Sequence, residues 1–226
     1  MNIQTSAREQ TDGRRQRSEV SRERIVRAML ELVGAGEVTP SAEAVAARAG
    51  VGLRTVFRHF DNMESLYRQI NAVMDAEIRP VAERPFSANE WKAQLGELID
   101  RRIRIFELIM PFKIAADLHR HHSPFLASQW DKMTKEQRAT LSRLVPKDQR
   151  DDATFLESLD LVLSFETWRR LRKDQRLAVP RARQVLERLV GALSSKPNSH
   201  TFRDFPTRRE RQVTATTRES LSLVKP

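Results

Sequence analysis

A chain of 226 residues can bury a hydrophobic core of its own, and the absence of cysteine excludes disulfides and thiolate metal sites. Seven Gly and ten Pro argue against a Gly-rich or many-turned β architecture. The formal net charge of +10 is compatible with a polyanionic partner, although such a charge also favours solubility and non-specific binding.

The first predicted elements are a basic arm and a helix. Residues 1–17 are polar and contain four Arg, which predicts a disordered segment. From Ser21 onward, apolar residues recur at spacings of three and four, as in a helix with one apolar stripe. Gly34 and Gly36 then predict the end of this helix.

Two short helices are predicted next. Thr39 precedes a Pro and should cap a helix over residues 40–48. Gly50 should close that helix in the left-handed conformation, which only Gly adopts at low cost. A helix over residues 53–59 follows, and one of the two polar residues before Met63 should cap the helix after it.

The remaining periodic segments are all helical, which predicts an all-α fold of about nine helices. They cover residues 62–77, 91–110, 112–120, 125–145, 153–173 and 181–193. Pro111 should kink or end the first long helix. Residues 153–173 are apolar on nearly every face, so a second copy of the chain should cover part of this surface. Residues 196–226, with seven basic and three acidic side chains and almost no periodicity, predict a disordered tail.

The segment over residues 44–60 has the features of a helix-turn-helix. Small residues stand where its two short helices would cross, and Val56 and Phe60 would hold the second helix against the first. The side chains that packing leaves free are Leu53, Arg54, Thr55, Phe57, Arg58 and His59. A recognition helix presents such a face to the major groove, where Arg54 could reach guanine O6 and N7 and Leu53 a thymine methyl. The alternative is a solvated helical hairpin whose basic face is incidental.

Several short motifs occur together within residues 22–70. They are a Thr at position 39, the run VAARAGV from Val45, the run TVFRHF from Thr55 and the run NMESL from Asn62. In these motifs and in their spacing, the segment resembles the DNA-binding part of the TetR family of transcriptional repressors. The resemblance implies a DNA-binding domain of three helices whose second and third helices form the helix-turn-helix.

The resemblance also implies roles for individual side chains. Thr39, Thr55 and His59 would contact phosphates, whereas Leu53 and Arg54 would contact base edges. The complete set of residues expected to bind DNA is Thr39, Arg48, Gly52, Leu53, Arg54, Thr55, Phe57, Arg58 and His59.

Three positions depart from the usual pattern of the family. Gly52 stands where a Ser often caps the recognition helix, Phe57 replaces a Tyr that bonds to phosphate, and Met63 replaces a Lys. Each departure would weaken a contact to the DNA backbone and not the fold. The basic arm, together with Arg58, is the hypothesised compensation for the lost contacts.

Beyond the first 70 residues, the resemblance is architectural. A DNA-binding domain over residues 18–66 would be followed by a helical ligand-binding and dimerisation domain over residues 67–195, which pairs its last two long helices with those of a second copy. The expected interface comprises Leu159, Val162, Leu163, Glu166, Val185, Leu186, Leu189 and Val190. Two-fold symmetry would place two recognition helices about 34–36 Å apart, or a multiple of that, on a near-palindromic operator of double-stranded DNA. The apolar stripes could instead be intramolecular core.

A small-molecule ligand would release the operator by binding one spacing of the two DNA-binding domains better than another. The helix over residues 62–77 is the expected lever. The candidate pocket residues, which suit an apolar or aromatic molecule, are Phe106, Met110, Phe112, His119, Trp130, Phe165 and Trp168. Such residues are often plain core. Two other hypotheses therefore stay open: the same DNA-binding fold without a ligand, and a helical protein–protein interaction module.

Other classes of function have little support in the sequence. The run DLHRHH, residues 117–122, could hold zinc but is more typical of a solvated helix end, so no metal is expected. The chain contains no Gly-rich phosphate loop, nucleophile elbow or HExxH motif, and neither an enzyme nor a cofactor is expected. With no apolar core at the N-terminus and no run near the roughly 18 apolar residues of a spanning helix, we expect a cytoplasmic protein without a membrane partner.

Overall fold

The computed structural model describes residues 3–195 of the chain, with side chains described from residue 15 onward. The α-helices in this part are α1 (Ile3–Gly34), α2 (Ala42–Ala49), α3 (Leu53–His59), α4 (Met63–Ala82), α5 (Trp91–His119), α6 (Pro124–Leu144), α7 (Lys147–Arg150), α8 (Ala153–Val162), α9 (Phe165–Arg169) and α10 (Val179–Ser194), with a π-helical turn over Arg170–Asp174 after α9. The described residues form no strand, so the predicted all-α class is confirmed. Within the same residues, no helix combines the length and the apolar character needed to cross a membrane.

The first helix begins much earlier than predicted. Residues 3–17, which were expected to be a disordered arm, form the first half of α1. Arg15 Nε lies 3.3 Å from Glu19 Oε1, one helical turn away, whereas the buried part of α1 starts only at Ile25. A helix that is already packed can be extended without a new nucleation step, so the apolar pattern does not mark where it begins. The predicted tail over residues 196–226 lies outside the described residues.

The helices enclose two hydrophobic cores that α4 connects. The head consists of α1, α2 and α3, and its core includes Ile25, Val45, Val56 and Phe60. The body consists of α5 through α10, and its core includes Leu95, Phe106, Leu141, Leu159, Phe165 and Trp168. Helix α4 contributes Leu66 to the core of the head and Met74 to the core of the body. A shift of α4 would therefore change the packing of both cores.

Local capping defines the two short helices of the head. Helix α2 begins at Ala42, because Ser41 Oγ accepts a hydrogen bond from the Ala44 amide at 3.1 Å. The predicted cap at Thr39 is therefore wrong by two residues. Gly50 ends α2 with φ of 62°, as predicted. The cap of α4 is Asn62, whose Oδ1 accepts from the Ser65 amide at 2.9 Å.

Two prolines in the interior of helices do not end them, although Pro111 was expected to kink or end its helix. Pro80 lies inside α4, and Pro111 lies inside α5, which continues to His119. A proline within a helix removes one backbone hydrogen bond and costs roughly 3 kcal/mol. In α5, residues on both sides of Pro111, including Met110 and Ala115, are buried. Their burial offsets the lost bond.

The helix predicted over residues 153–173 is interrupted. Helix α8 ends at Val162, and Ser164 caps α9 by accepting a hydrogen bond from the Thr167 amide at 3.1 Å. The hydroxyls of Ser164 and Thr167 both donate to the Leu161 carbonyl, at 2.8 and 2.6 Å. Side chains that bond to nearby backbone compete with a continuous helix, and here they end it.

Candidate nucleic-acid interface and ligand cavity

The sequence of α3 divides it into an anchored face and a free face. Val56 is 5% exposed and packs in the core of the head, as does Phe60 just after the helix at 3%. On the other side, Leu53 is 37% and Phe57 56% exposed. These two exposed apolar side chains stand beside exposed Arg54, so the free face offers both apolar and cationic groups to a partner.

The two arginines of α3 are free cations. Arg54 and Arg58 are exposed, and within residues 15–195 neither takes part in an ion pair or a hydrogen bond. Arg48 of α2 is also exposed, but its Nη1 lies 3.5 Å from Glu31 Oε2 of α1. Unpaired guanidinium groups keep all their donors available for phosphate or base edges.

Two of the predicted phosphate contacts, Thr55 and His59, are half-buried, whereas Thr39 is exposed. The Nε2 atom of His59 is enclosed and has no hydrogen-bond partner among the described residues. Burial lowers the pKa of His59, and the positive charges of Arg58 and Arg22 lower it further. An anion next to this ring would reverse the effect of the two arginines.

The departures from the family pattern leave local gaps. Gly52 precedes α3 with φ of −71° and forms no side-chain cap, as predicted. A Cβ added to Gly52 would meet nothing within 4 Å. Met63, in the place of a cation, is 41% exposed.

A cavity of about 600 Å³ lies where the head meets the body. Its lining comes from α1, α4, α5 and α6 and also from Thr39 and Phe57 of the head. Of the seven predicted pocket residues, Phe112, His119 and Trp130 line it. The other four, Phe106, Met110, Phe165 and Trp168, lie in the core of the body and are at most 4% exposed. A cavity with both domains in its wall is sensitive to how they are arranged.

Neither the α4 wall of this cavity nor Lys113 was predicted from the sequence. Tyr67, Ile70 and Met74 of α4 line it, and Tyr67 stacks on His119 with ring centroids 5.8 Å apart. The spacing of Ile70 and Met74 by four residues had indicated an apolar face, but not that this face borders a cavity. Burial raises the pKa of Tyr67.

Lys113 of α5 is a half-buried cation in the cavity wall. Its Nζ lies 3.0 Å from the ring centroid of Trp130 and 5.5 Å from that of Phe165. Burial lowers the pKa of Lys113 to about 8; the charges of Glu166 and Asp117 oppose this change, and that of Arg120 adds to it. Arg120 also lies over the Trp130 ring, at 4.5 Å, and its Nε is 3.0 Å from Asp117 Oδ1.

Half of the predicted dimer interface is core of the chain itself. Leu159, Leu163, Leu186 and Val190 are buried within the chain. Val162 and Val185 are half-buried, whereas Glu166 and Leu189 are exposed. Leu161, which was not in the predicted set, is 69% exposed. An apolar surface therefore remains uncovered on α8 and α10, but it is smaller than predicted.

The DLHRHH run contributes to the cavity through His119, while His121 and His122 are exposed. In the part of the chain that the structure describes, no group of three His, Asp or Glu side chains could hold a metal ion.

Comparisons with known proteins agree with the helix-turn-helix and the helical body. Residues 30–70 match the family model for bacterial regulatory proteins of the tetR family. Among curated proteins, none matches the chain significantly.

Solved structures share the fold. A transcriptional regulator from Rhodococcus sp. Rha1 superposes with a TM-score of 0.60 at 16% identity, covering 76% of this chain and 95% of that protein. A Mesorhizobium loti MAFF303099 protein assigned to the TetR family of transcriptional regulators gives 0.51 at 17% identity, covering 78% and 96%. A Pseudomonas aeruginosa PAO1 protein assigned as a transcriptional regulator gives 0.53 at 15% identity, covering 79% and 90%.

Proposed function

We propose that the chain is a DNA-binding transcriptional regulator of the tetR family, a repressor that binds a near-palindromic operator as a homodimer and leaves it when a small molecule binds. The observation that carries this proposal is the free face of α3. Its two unpaired arginines stand exposed while Val56 is held in the core of the head. A short helix anchored on one side with cations on the other has the geometry of a recognition helix.

Six of the residues expected to bind DNA have a proposed role. Arg54, near the start of α3, reads guanine in the major groove through O6 and N7, and Leu53 contacts a thymine methyl. Thr39, Thr55 and His59 bind phosphates and set the register of the helix on DNA. Arg58 adds a phosphate contact in place of those that Gly52, Phe57 and Met63 cannot make.

The exposed apolar side chains of α8 and α10 support dimerisation. Leu161 is 69% and Leu189 41% exposed, on two helices that contact each other. A second copy related by a two-fold axis would cover both and present a second α3 to the next half-site. Half-sites would then lie about one DNA turn, 34–36 Å, or a multiple of it, apart.

The position of the cavity supports control by a ligand. A ligand can shift an equilibrium only if it binds one arrangement better than the other. Because Leu30 and Phe57 of the head and Ile109 and Trp130 of the body line the same cavity, a bound molecule would favour one head–body arrangement. Helix α4 would transmit the shift, since it contributes to both cores.

Binding to the DNA upstream of the protein's own gene tests the proposal. Fluorescence anisotropy at two salt concentrations should show tighter binding to a palindrome in this promoter than to random DNA of the same length. Arg54→Ala should reduce the difference between operator and random DNA by about 1–3 kcal/mol. Arg143→Ala, an exposed arginine of α6, is the matched control and should leave the difference unchanged. Equal affinity of the unchanged protein for both DNAs would contradict the proposal.

A further inference from the structure

Four charged side chains line the cavity, namely Asp75, Lys113, Lys132 and Glu136, and among the described residues Lys113 is the one of these four with neither a hydrogen bond nor an ion pair. Lys113 Nζ rests on the Trp130 ring at 3.0 Å. Across residues 15–195, the ammonium group forms no hydrogen bond and no ion pair within 4.0 Å. The ring face attracts a cation but accepts no conventional hydrogen bond, so the three N–H donors of Lys113 stay available.

The acidic side chains around the same cavity already have partners. Asp75 Oδ2 accepts a hydrogen bond from Asn71 Nδ2 at 3.2 Å. Glu136 Oε1 lies 3.9 Å from Lys132 Nζ. A cationic ligand would have to compete with these partners, whereas an anionic ligand would find Lys113 unoccupied.

We propose that the ligand of this cavity is an organic anion, with an apolar or aromatic body and one acidic group, and that Lys113 binds the acidic group. This inference rests on the proposed function, since it names the chemical class of the ligand that acts there. A partly buried ammonium ion that lacks an anion is unfavourable, and a ligand carboxylate or sulfonate supplies the missing hydrogen-bond acceptors and charge. The apolar body would lie against Ile70, Met74, Ile109 and Met133, which line the same space.

The protonation of Lys113 gives this assignment a signature in pH. Burial lowers the pKa of Lys113 to about 8. The other charged groups that face it are Asp117 of α5, Arg120 after α5 and Glu166 of α9, and His119 lines the same cavity. Burial raises the pKa of Tyr67, which lines the same cavity, above its usual value of about 10, so Lys113 is the group with a shifted pKa whose charge changes between pH 7 and 9. The affinity for an anion should be highest below pH 7 and should decrease as the pH rises from 7 to 9.

Two dyes with the same ring system test the proposal on the full chain. The anionic probe is 8-anilinonaphthalene-1-sulfonate, and N-phenyl-1-naphthylamine is the neutral molecule without the sulfonate. At pH 7, Lys113→Met should weaken binding of the sulfonate by about tenfold or more and change binding of the neutral dye by about twofold or less. Lys92→Met is the matched control, because Lys92 also lies near a Trp ring, 5.7 Å from that of Trp91, but is exposed outside the cavity.

Raising the pH from about 7 to 9.5 should weaken binding of the sulfonate to the unchanged protein and leave the neutral dye unaffected. This pH dependence should disappear in Lys113→Met. Lys113→Gln provides a second variant of similar length if the Met variant fails to fold.

The proposal would be overturned if Lys113→Met and the unchanged protein bound the sulfonate with equal affinity. It would also be overturned if the unchanged protein bound the neutral dye more tightly than the sulfonate at pH 7, or bound neither dye. Operator binding by the unchanged protein without a dye is measured separately. A failure there would contradict the proposed function, whereas a failure in the dye experiment alone would contradict only the class of the ligand.

Discussion

Arg102 shows how one buried side chain connects three helices of the body. It is 5% exposed, and it donates from Nη1 to the Leu163 carbonyl and from Nη2 to the Gln137 carbonyl, both at 2.8 Å. Burial lowers the pKa of Arg102 to about 10, while the charge of Asp160 opposes the change. Because Leu163 follows the last residue of α8 as its C-cap, its carbonyl has no partner within that helix, and Arg102 of α5 donates a hydrogen bond to it.

Arg102→Met should lower the free energy of unfolding by about 2–4 kcal/mol, because two charge-assisted hydrogen bonds are lost and the Leu163 carbonyl is left buried. Urea unfolding followed by circular dichroism measures the change. Arg104→Met, two residues away and exposed, should change stability by less than about 0.5 kcal/mol. Similar losses in the two variants would show that the buried hydrogen bonds do not stabilise the body.

His59 makes operator binding depend on pH if it contacts a phosphate. Because the pKa of His59 is lowered in the folded state, protonation of this ring disfavours folding. The free energy of unfolding therefore keeps its full value above the pKa of an unfolded histidine, about 6.5, and decreases as the pH falls below it. A bound phosphate raises the pKa again and links binding to proton uptake.

Operator affinity should therefore increase as the pH falls from about 7.5 to 6, at constant ionic strength, and His59→Gln should remove much of this increase. Anisotropy titrations at each pH provide the measurement. His121→Gln, exposed and remote from α3, is the matched control. If His59→Gln retains the full pH dependence, this histidine does not contact phosphate.

At the scale of single elements, α3 lacks the side-chain cap that begins α2, α4 and α6. Gly52 has an ordinary φ of −71° and space for a Cβ, so a larger residue can stand there without strain. A Ser hydroxyl would accept from a free amide of the first turn of α3.

Gly52→Ser should therefore be more stable than Gly52→Ala by about 0.5–2 kcal/mol, since both add a Cβ but only Ser adds a cap. Thermal unfolding compares the two variants. The Gly52→Ser variant should also bind the operator at least as tightly as the unchanged protein, because the added hydroxyl would lie beside the proposed phosphate contacts. An Ala variant as stable as the Ser variant would contradict the capping role.

Residues 1–17, most of which belong to the N-terminal half of α1, contain four Arg. Deleting residues 1–17 should weaken operator binding and flatten its salt dependence, because fewer counterions are released from DNA. Replacing the four Arg of this segment with Gln keeps the length of the helix and should have the same effect. A salt dependence that is unchanged in both variants would show that this half of α1 does not approach DNA.

At the scale of the whole molecule, the proposed dimer depends on the apolar surface of α8 and α10. Leu161→Glu combined with Leu189→Glu should convert the protein to a monomer in sedimentation equilibrium and weaken binding to the two-site operator. Leu118→Glu is the matched control, because Leu118 is 58% exposed but lies on α5. An unchanged mass in the double variant would place the interface elsewhere.

The all-α class, the resemblance to the tetR family and the positions where several helices begin and end can be predicted from the amino-acid sequence alone. Gly50 adopts the expected positive φ and Asn62 is one of the two expected caps. Both depend on hydrogen bonds within a few residues, so neighbouring sequence is sufficient to specify them. The family resemblance was equally accessible, because it rests on a contiguous segment.

Which apolar residues form core and which border a cavity depends instead on how the helices pack together. Phe106 and Phe112 both lie on α5, yet Phe106 packs edge-to-face on Phe165 whereas Phe112 lines the cavity. In the same way, burial on both sides of Pro111 maintains a helix that local propensity would end. Periodicity specifies which face of a helix is apolar, but the residues that cover that face are distant in sequence. The free energy gained by burying the face exceeds the local conformational preference of a residue such as Pro to end the helix.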